Sequence, residues 1–306
     1  MTSYKLVTYR AAKGPRAGIV MEEKVFDVAA LTGRSSYATM LAILEDWEAA
    51  QDLLEKAAET KEHKEKGIPL EKARLLVPVL YSSTIFCAGA NYSDHVIEMA
   101  IAQGIKPDTD PRTSGQPWHF IKASRSVVET QSTVPLPEYS RMVDWEAELV
   151  AVIGRPAKNV SVDDALGYVA GYTVGNDLSA RDLSTRQHIS VNSPFRYDWV
   201  SHKSFDGACP VGPWIVPAKE ISDPQNLSIK LWVNDILKQD SHTSKMIFST
   251  AEQIAHLSTR ITLHPGDLIL TGTPAGVGMA RHEFLRAGDE VKVWIERIGT
   301  LTYKMA

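Results

Sequence analysis

From Thr84 onward the chain is a succession of short strand-like runs punctuated by glycine and proline, with few helical patterns between them. The runs 146–153, 167–174, 227–233, 267–270 and 290–295 are apolar or alternating and bounded by turn formers. Helical spacing is confined to 94–103, 162–166 and 250–259. A Rossmann or TIM-barrel layout needs a regular alternation of strand and helix, which is missing, so the pattern predicts a β-rich α+β fold. Before residue 84 the texture differs. Strand-like runs at 4–9, 17–21 and 24–28 surround Lys13-Gly14-Pro15, and then Met40, Leu44, Trp47, Leu54 and Ala58 recur at helical spacing. The charged run 59–66 reads as a solvated helix end, and Pro69 and Pro78 flank the change of pattern. We expect a small N-terminal α/β domain over 1–75 and a larger domain over 76–306.

Composition removes whole classes of function. The 306 residues hold 33 Lys and Arg against 37 Asp and Glu, a net charge of −4, so no basic field exists to hold nucleic acid or an anionic membrane surface. No stretch approaches the ~18 uninterrupted apolar residues of a membrane span, and residues 1–14 carry no secretory signature, so the expected compartment is the cytoplasm. Cys87 and Cys209 lack the density of a disulfide framework and the spacing of a zinc site, and are read as reduced core residues. There is no GxSxG, no GxxxxGK[ST] and no HExxH, and the glycine-rich stretch 271–278 does not fit GxGxxG.

The chemistry therefore rests on acidic, histidine and lysine side chains. In Val143-Asp144-Trp145-Glu146-Ala147-Glu148-Leu149 a strand would put Asp144, Glu146 and Glu148 on one face, with the two glutamates about 7 Å apart at their Cα atoms. Like charges that close, leading into an apolar run, call for a neutraliser. A hard cation, Mg²⁺, Mn²⁺ or Ca²⁺, suits carboxylates with no nearby His or Cys, and a solvated strand face is the alternative. Asp177 and Asp182, in Asn176-Asp177-Leu178-Ser179-Ala180-Arg181-Asp182, compete as a third acidic ligand, and either could instead cap the next helix. His95 and Glu98 lie three apart on a predicted helix capped by Ser93 or Asp94, so the pair reads as an oriented general base or as a surface ion pair. Lys122 and Lys203 stand beside aromatic residues and could offset a developing negative charge, although a lone lysine is usually solvated. The segment 104–118 reads as a long loop, a lid or plain disorder.

Taken in order, Gly89-Ala90-Asn91-Tyr92-Ser93-Asp94-His95, Phe120-Ile121-Lys122, Asp144-Trp145-Glu146-Ala147-Glu148, Asn176 to Asp182, Lys203-Ser204-Phe205-Asp206, Gly266 to Pro274 and Gly288-Asp289-Glu290-Val291 resemble the fumarylacetoacetate hydrolase family. The resemblance covers 84–300 and implies that family's mixed β-roll catalytic domain, preceded by a small variable one. It implies a divalent metal, usually Mg²⁺ or Mn²⁺, held by Glu146, Glu148 and Asp177. It implies a water-activating dyad of His95 and Glu98, active-site lysines Lys122 and Lys203, and substrate contacts from Arg181 and Thr273. It further implies a homodimer acting on a small 2-oxo or diketo acid.

Two departures stand out. Ser184 occupies the place of a glutamine found in several relatives, with Gln187 as a replacement, and 189–201 reads as an insertion that reshapes either the pocket or a dimer contact. The expected reaction is metal-dependent hydrolysis of the C–C bond of an acylpyruvate or other 2,4-diketo acid, with His95 drawing a proton from water and the lysines offsetting enolate charge. The alternatives are a metal-dependent decarboxylase or isomerase of oxaloacetate or a ring-cleavage tricarboxylate, and a catalytically silent structural dimer.

Overall fold

The apolar run that follows Glu148 is apolar throughout because it has no solvent face: the strand Ala147–Ile153 is buried along its whole length. It lies between Val169–Asn176 and Leu268–Leu270, antiparallel to both. Ala147, Leu149, Ala151 and Ile153 enter one hydrophobic cluster, with Tyr172, Leu231 and Val293. Val150 and Val152 enter a second, with Leu6, Ile19, Leu44 and Leu270. The strand thus separates two cores, and its period-two alternation decides which core each side chain joins.

The computed structural model describes residues 4–60, 66–80, 82–107 and 111–306. Most of the charged run 59–66 and the centre of the 104–118 loop, residues 61–65 and 108–110, lie outside the described residues. Strand outweighs helix, 34% against 29%, which is the strand-rich mixture expected. The main sheet runs from the N-terminal meander Lys24–Asp27, Gly14–Met21 and Lys5–Ala11 through Cys209–Pro217, Val169–Asn176 and Ala147–Ile153 to Leu268–Leu270, Ile85–Ala88 and His119–Lys122. The meander joins this sheet through Leu6 opposite Ile215, so the hydrogen-bonded ladder crosses the change of texture at 68–80 without a break. A second, five-stranded sheet contains Ser228–Val233, Glu290–Ile295 and Gly299–Met305, and its buried faces close the first cluster.

Helices cover what remains. The expected helix over 40–58 is two, Met40–Glu45 and Trp47–Glu59, broken at Asp46, whose carboxylate accepts the Tyr37 hydroxyl at 2.5 Å while its backbone sits at φ −115°, ψ 35°. Thr250–Arg260 opens on a capping box between Ser249 and Glu252. Ser93–Ala102 has no side-chain cap, contrary to expectation, because its first turn has tertiary partners: the Asp94 carboxylate accepts the Ser241 hydroxyl at 2.6 Å and the Ala275 N–H at 3.2 Å. Cys87 and Cys209 are buried free thiols, and burial pushes both pKa values up, Cys209 to about 12. Among the described residues no helix is long and apolar enough to cross a membrane.

Candidate metal centre and active-site pocket

Glu148 is the second residue of the central strand and stands across from Gly175. Glu146 lies just before the strand, where the chain has left the ladder, and its backbone is clamped instead by the neighbouring strand end. Its N–H donates to Asn176 Oδ1 at 2.8 Å, and its carbonyl accepts the Asp177 N–H at 2.9 Å. Asn176 is in turn held by donating to the Tyr303 hydroxyl at 2.8 Å. These bonds bring Glu146, Glu148 and Asp177 together, all buried, with one oxygen from each lying within 4.8 Å of the others. A hard cation binds oxygens at ~2.0–2.6 Å, so ligands on opposite sides of it stand ~4–5 Å apart, and the cluster fits.

Asp144 and Asp182 do other work. Asp144 takes Arg181 Nε at 2.8 Å and the N–H groups of Gly278 and Met279, and Asp182 holds the 140–141 turn through the Ser140 hydroxyl and the Arg141 N–H.

Three cations surround the carboxylates. Lys203 Nζ donates to Glu146 Oε2 at 2.8 Å and to Asp177 Oδ2 at 2.9 Å, Lys122 Nζ to Asp177 Oδ1 at 2.5 Å, and Arg181 Nη2 to Glu146 Oε1 at 2.5 Å. Against Asp144, Glu146, Glu148 and Asp177, these three leave the cluster one positive charge short, and Glu148 bears the deficit. Burial, then the charges of Asp177 and Glu146, push its carboxyl well above the usual range, and the Gly272 N–H at 2.6 Å only partly offsets them. Glu146 goes the other way: burial works to raise it, but Lys203 and Arg181 together hold it far below the usual range. A divalent cation at the triad would remove the deficit and leave one positive charge in excess, which an anionic substrate would complete.

The triad meets a cavity of about 190 Å³ through Glu146, which lines it together with Arg181 and Lys203. His95 lines it from the helix Ser93–Ala102, and its Nδ1 is buried with no hydrogen-bond partner among the described residues. Glu98 Oε2 is 3.9 Å from that nitrogen, outside hydrogen-bond range, and instead accepts the Gly276 N–H at 2.8 Å. Burial works to raise the Glu98 carboxyl, but His95 and the Gly276 N–H more than offset it. Thr273 also lines the cavity, and its hydroxyl accepts from Gln239 Nε2 at 2.9 Å. The same glutamine accepts the Ala147 N–H at 3.0 Å, which ties the glycine-rich loop to the strand of the triad. Gly272 in that loop has φ +98°, and a Cβ there would stand 2.8 Å from that of Asn91.

Lys122 lies behind Asp177 and is not part of the cavity wall, while Gln187 is exposed with its amide on the Thr185 hydroxyl, outside the lining residues. The segment 189–201 does reach the pocket, through Trp199, which stacks on Phe120 at 5.2 Å. From the 104–118 loop, Trp118 enters the wall and Arg112 is anchored by the Ile247 carbonyl and the Glu252 carboxylate. Gly89 makes room for that tryptophan, since a Cβ at 89 would fall 2.0 Å from the Trp118 ring. Residue patterns alone did not single out Asp144, Asn176, Gln239, His202 or Trp118 as site residues. Asn176 and Asp144 sat inside the quoted motifs, whereas nothing local marks Gln239.

Residues 84–306, which hold all of these side chains, match the family of fumarylacetoacetate (FAA) hydrolase C-terminal domains. The chain belongs to that family and is an enzyme of its type. It is 40% identical over 240 residues to the oxaloacetate tautomerase Fahd2a, mitochondrial, of Rattus norvegicus, covering 78% of this chain and 71% of the relative. It is 36% identical over 306 residues to the oxaloacetate tautomerase fahd2, mitochondrial, of Xenopus laevis, covering 98% and 89%. Among solved structures it is similar to the maleylpyruvate hydrolase of Sphingobium sp. SYK-6 in complex with manganese (II) ion and pyruvate, with TM-score 0.75, 29% identity and coverage of 99% and 98%.

Proposed function

We propose that the chain is a divalent-metal-dependent enzyme acting on small 2-oxo acids with a second oxygen function at C4, and that Glu146, Glu148 and Asp177 hold the cation. The observation that carries this is the approach of three buried carboxylates to within 4.8 Å of one another, one of which, Glu146, lines a cavity. Bound there, Mg²⁺ or Mn²⁺ would supply Lewis-acid polarisation of the 2-oxo group. The remaining work falls to the protein's own side chains. Arg181 and Lys203 offset the charge of the substrate carboxylate and of the enolate that forms when a bond at C3 is broken, a role worth ~3 kcal/mol per well-placed donor. His95, with its unpartnered Nδ1, accepts and returns a proton, and Thr273 positions the substrate from the glycine-rich loop.

Two reactions pass through that enolate. In hydrolysis His95, supported by Glu98, takes a proton from water that attacks the C4 carbonyl, and the C3–C4 bond breaks to give pyruvate and a carboxylic acid. The similarity to a maleylpyruvate hydrolase supports this reading. In tautomerisation of an oxaloacetate-like acid, His95 moves a proton between C3 and the enol oxygen and no water is consumed. The similarity to oxaloacetate tautomerases over most of the chain supports that one. We propose a cytoplasmic homodimer, to be checked by sedimentation and by cell fractionation, since the vertebrate relatives bear the name mitochondrial.

The experiment is to incubate the protein with oxaloacetate and with acylpyruvates, each with Mg²⁺, Mn²⁺ or EDTA, following enol absorbance, CO₂ and carboxylic acid. Acid release identifies hydrolysis, and enol loss without acid or CO₂ identifies tautomerisation. Full turnover in thoroughly demetallated protein ends the proposal.

A further inference from the structure

Beside the charged groups the cavity wall also carries aromatic rings, and Lys203 Nζ sits 5.0 Å over the ring of Phe120. Trp199 stacks on Phe120 at 5.2 Å and meets Trp118 edge-on at 5.8 Å, and the His202 ring lies 5.6 Å from that of Trp199. His202 lines the cavity yet is only 6% exposed, and its Nε2 is buried with no hydrogen-bond partner among the described residues. Buried polar atoms in folded proteins are nearly always satisfied, so an orphan nitrogen at the edge of a cavity marks a place for a ligand atom. Burial, reinforced by the charges of Lys203 and Arg181, pushes the imidazole down to about 3, so at neutral pH the ring is uncharged and carries one N–H donor. A cavity of about 190 Å³ is smaller than the roughly 300–1,000 Å³ of pockets for drug-sized ligands, so the molecule it takes is short.

The pocket therefore offers two kinds of group: carboxylates and cations for the proposed 2-oxo acid group, and aromatic rings around one neutral imidazole. We infer that His202 is a specificity-determining residue, whose ring N–H takes the oxygen at the far end of a short 2-oxo diacid while Trp118, Phe120 and Trp199 flank the chain between. This rests on the proposed 2-oxo acid function and narrows it: an acid ending in a carboxylate is preferred to one of equal length ending in a methyl group.

The test compares oxaloacetate with 2-oxobutanoate, which has a methyl in place of the far carboxylate, in calorimetric titrations of Mn²⁺-loaded protein. A hydrogen bond to a charged group corresponds to roughly tenfold to a hundredfold in affinity. His202→Phe, which keeps a ring against Trp199, is expected to weaken oxaloacetate by that factor and to leave 2-oxobutanoate within about twofold. His202→Gln, which restores an N–H donor, recovers most of the loss. Unchanged preference in His202→Phe overturns the inference alone. Equal loss of both acids in both variants assigns His202 a structural role and overturns it too. Failure of the unmodified protein to bind either acid overturns the 2-oxo acid reading, and this inference with it.

Discussion

Lys122 Nζ lies 2.5 Å from Asp177 Oδ1, with the two side chains 0% and 1% exposed. Lys122 also donates to the Leu178 carbonyl at 3.1 Å, so it fixes both the carboxylate and the backbone that carries it. Removing one member of a buried pair leaves an uncompensated charge, which costs roughly 3–5 kcal/mol. Lys122→Met is expected to destabilise the fold by about that much in urea unfolding. Lys122→Met with Asp177→Asn should cost clearly less than the sum of the two single changes, and strict additivity would refute the coupling.

Glu148 is the carboxylate whose charge the metal-free cluster tolerates least. Glu148→Gln is expected to leave the metal-free protein as stable as the parent or more so, since it removes a charge that burial, Asp177 and Glu146 all oppose. The same change should abolish stabilisation by Mn²⁺, which for the parent reaches about 2.7 kcal/mol at a hundredfold excess over Kd. Thermal unfolding with and without Mn²⁺ measures both. A Mn²⁺-induced shift that survives in Glu148→Gln would remove Glu148 from the ligand set.

His95 and Glu98 should separate on substitution. His95→Ala is expected to lower kcat at least a hundredfold with little change in stability, the usual scale for a lost general base. Glu98→Gln retains an oxygen to accept the Gly276 N–H, so it should cost less than Glu98→Ala, which also frees the glycine-rich loop from the helix. Equal rates for the two Glu98 variants would show that the loop contact carries no catalytic weight.

His119 gives the fold an acid limit. Burial pushes its imidazole down to about 4, against a weak opposing bond to Gln253, and its Nδ1 is buried with no partner among the described residues. The folded pKa lies below the unfolded one, so the unfolded chain binds the proton more readily between them. The stability is therefore present above about pH 6.5 and is lost as pH falls towards 4, by ~3 kcal/mol in total for this one group. Urea unfolding at pH 7, 5.5 and 4.5 should show this slope, flattened by that amount in His119→Gln. Parallel slopes for the two proteins would count against it.

Much of the local structure was readable from residue order. The predicted strand at 290–295 coincides with Glu290–Ile295, and the predicted helix at 250–259 extends by one residue to Thr250–Arg260. Strand period puts Glu146 and Glu148 on one face, although Glu146 lies just outside the strand Ala147–Ile153, and Asp177 was one of two acidic candidates with Asp182 until the family resemblance chose between them. From residue pattern, without the family resemblance, Lys122 and Lys203 were legible only as isolated lysines, because Lys203 reaches Glu146 across 57 residues and Lys122 reaches Asp177 across 55. Gln239 lies in the strand Ile236–His242, whose apolar Ile236 and Leu237 are exposed while Gln239 is 0% exposed, so no local pattern marks it as buried.

The order of residues by itself determined the strand-rich architecture, the alternation that sorts side chains between two cores, and the candidate ligands, since each of these depends on neighbours within a few positions. Only the tertiary structure decided which charges meet. It assigned Arg181 to Asp144 and Glu146, left Glu148 short of a cation, tied Glu98 to the Gly276 N–H while keeping it 3.9 Å from His95, and brought Trp118, Trp199 and His202 into one wall. Electrostatics and burial act through space, and the folded sheet brings those distant segments within reach of one another.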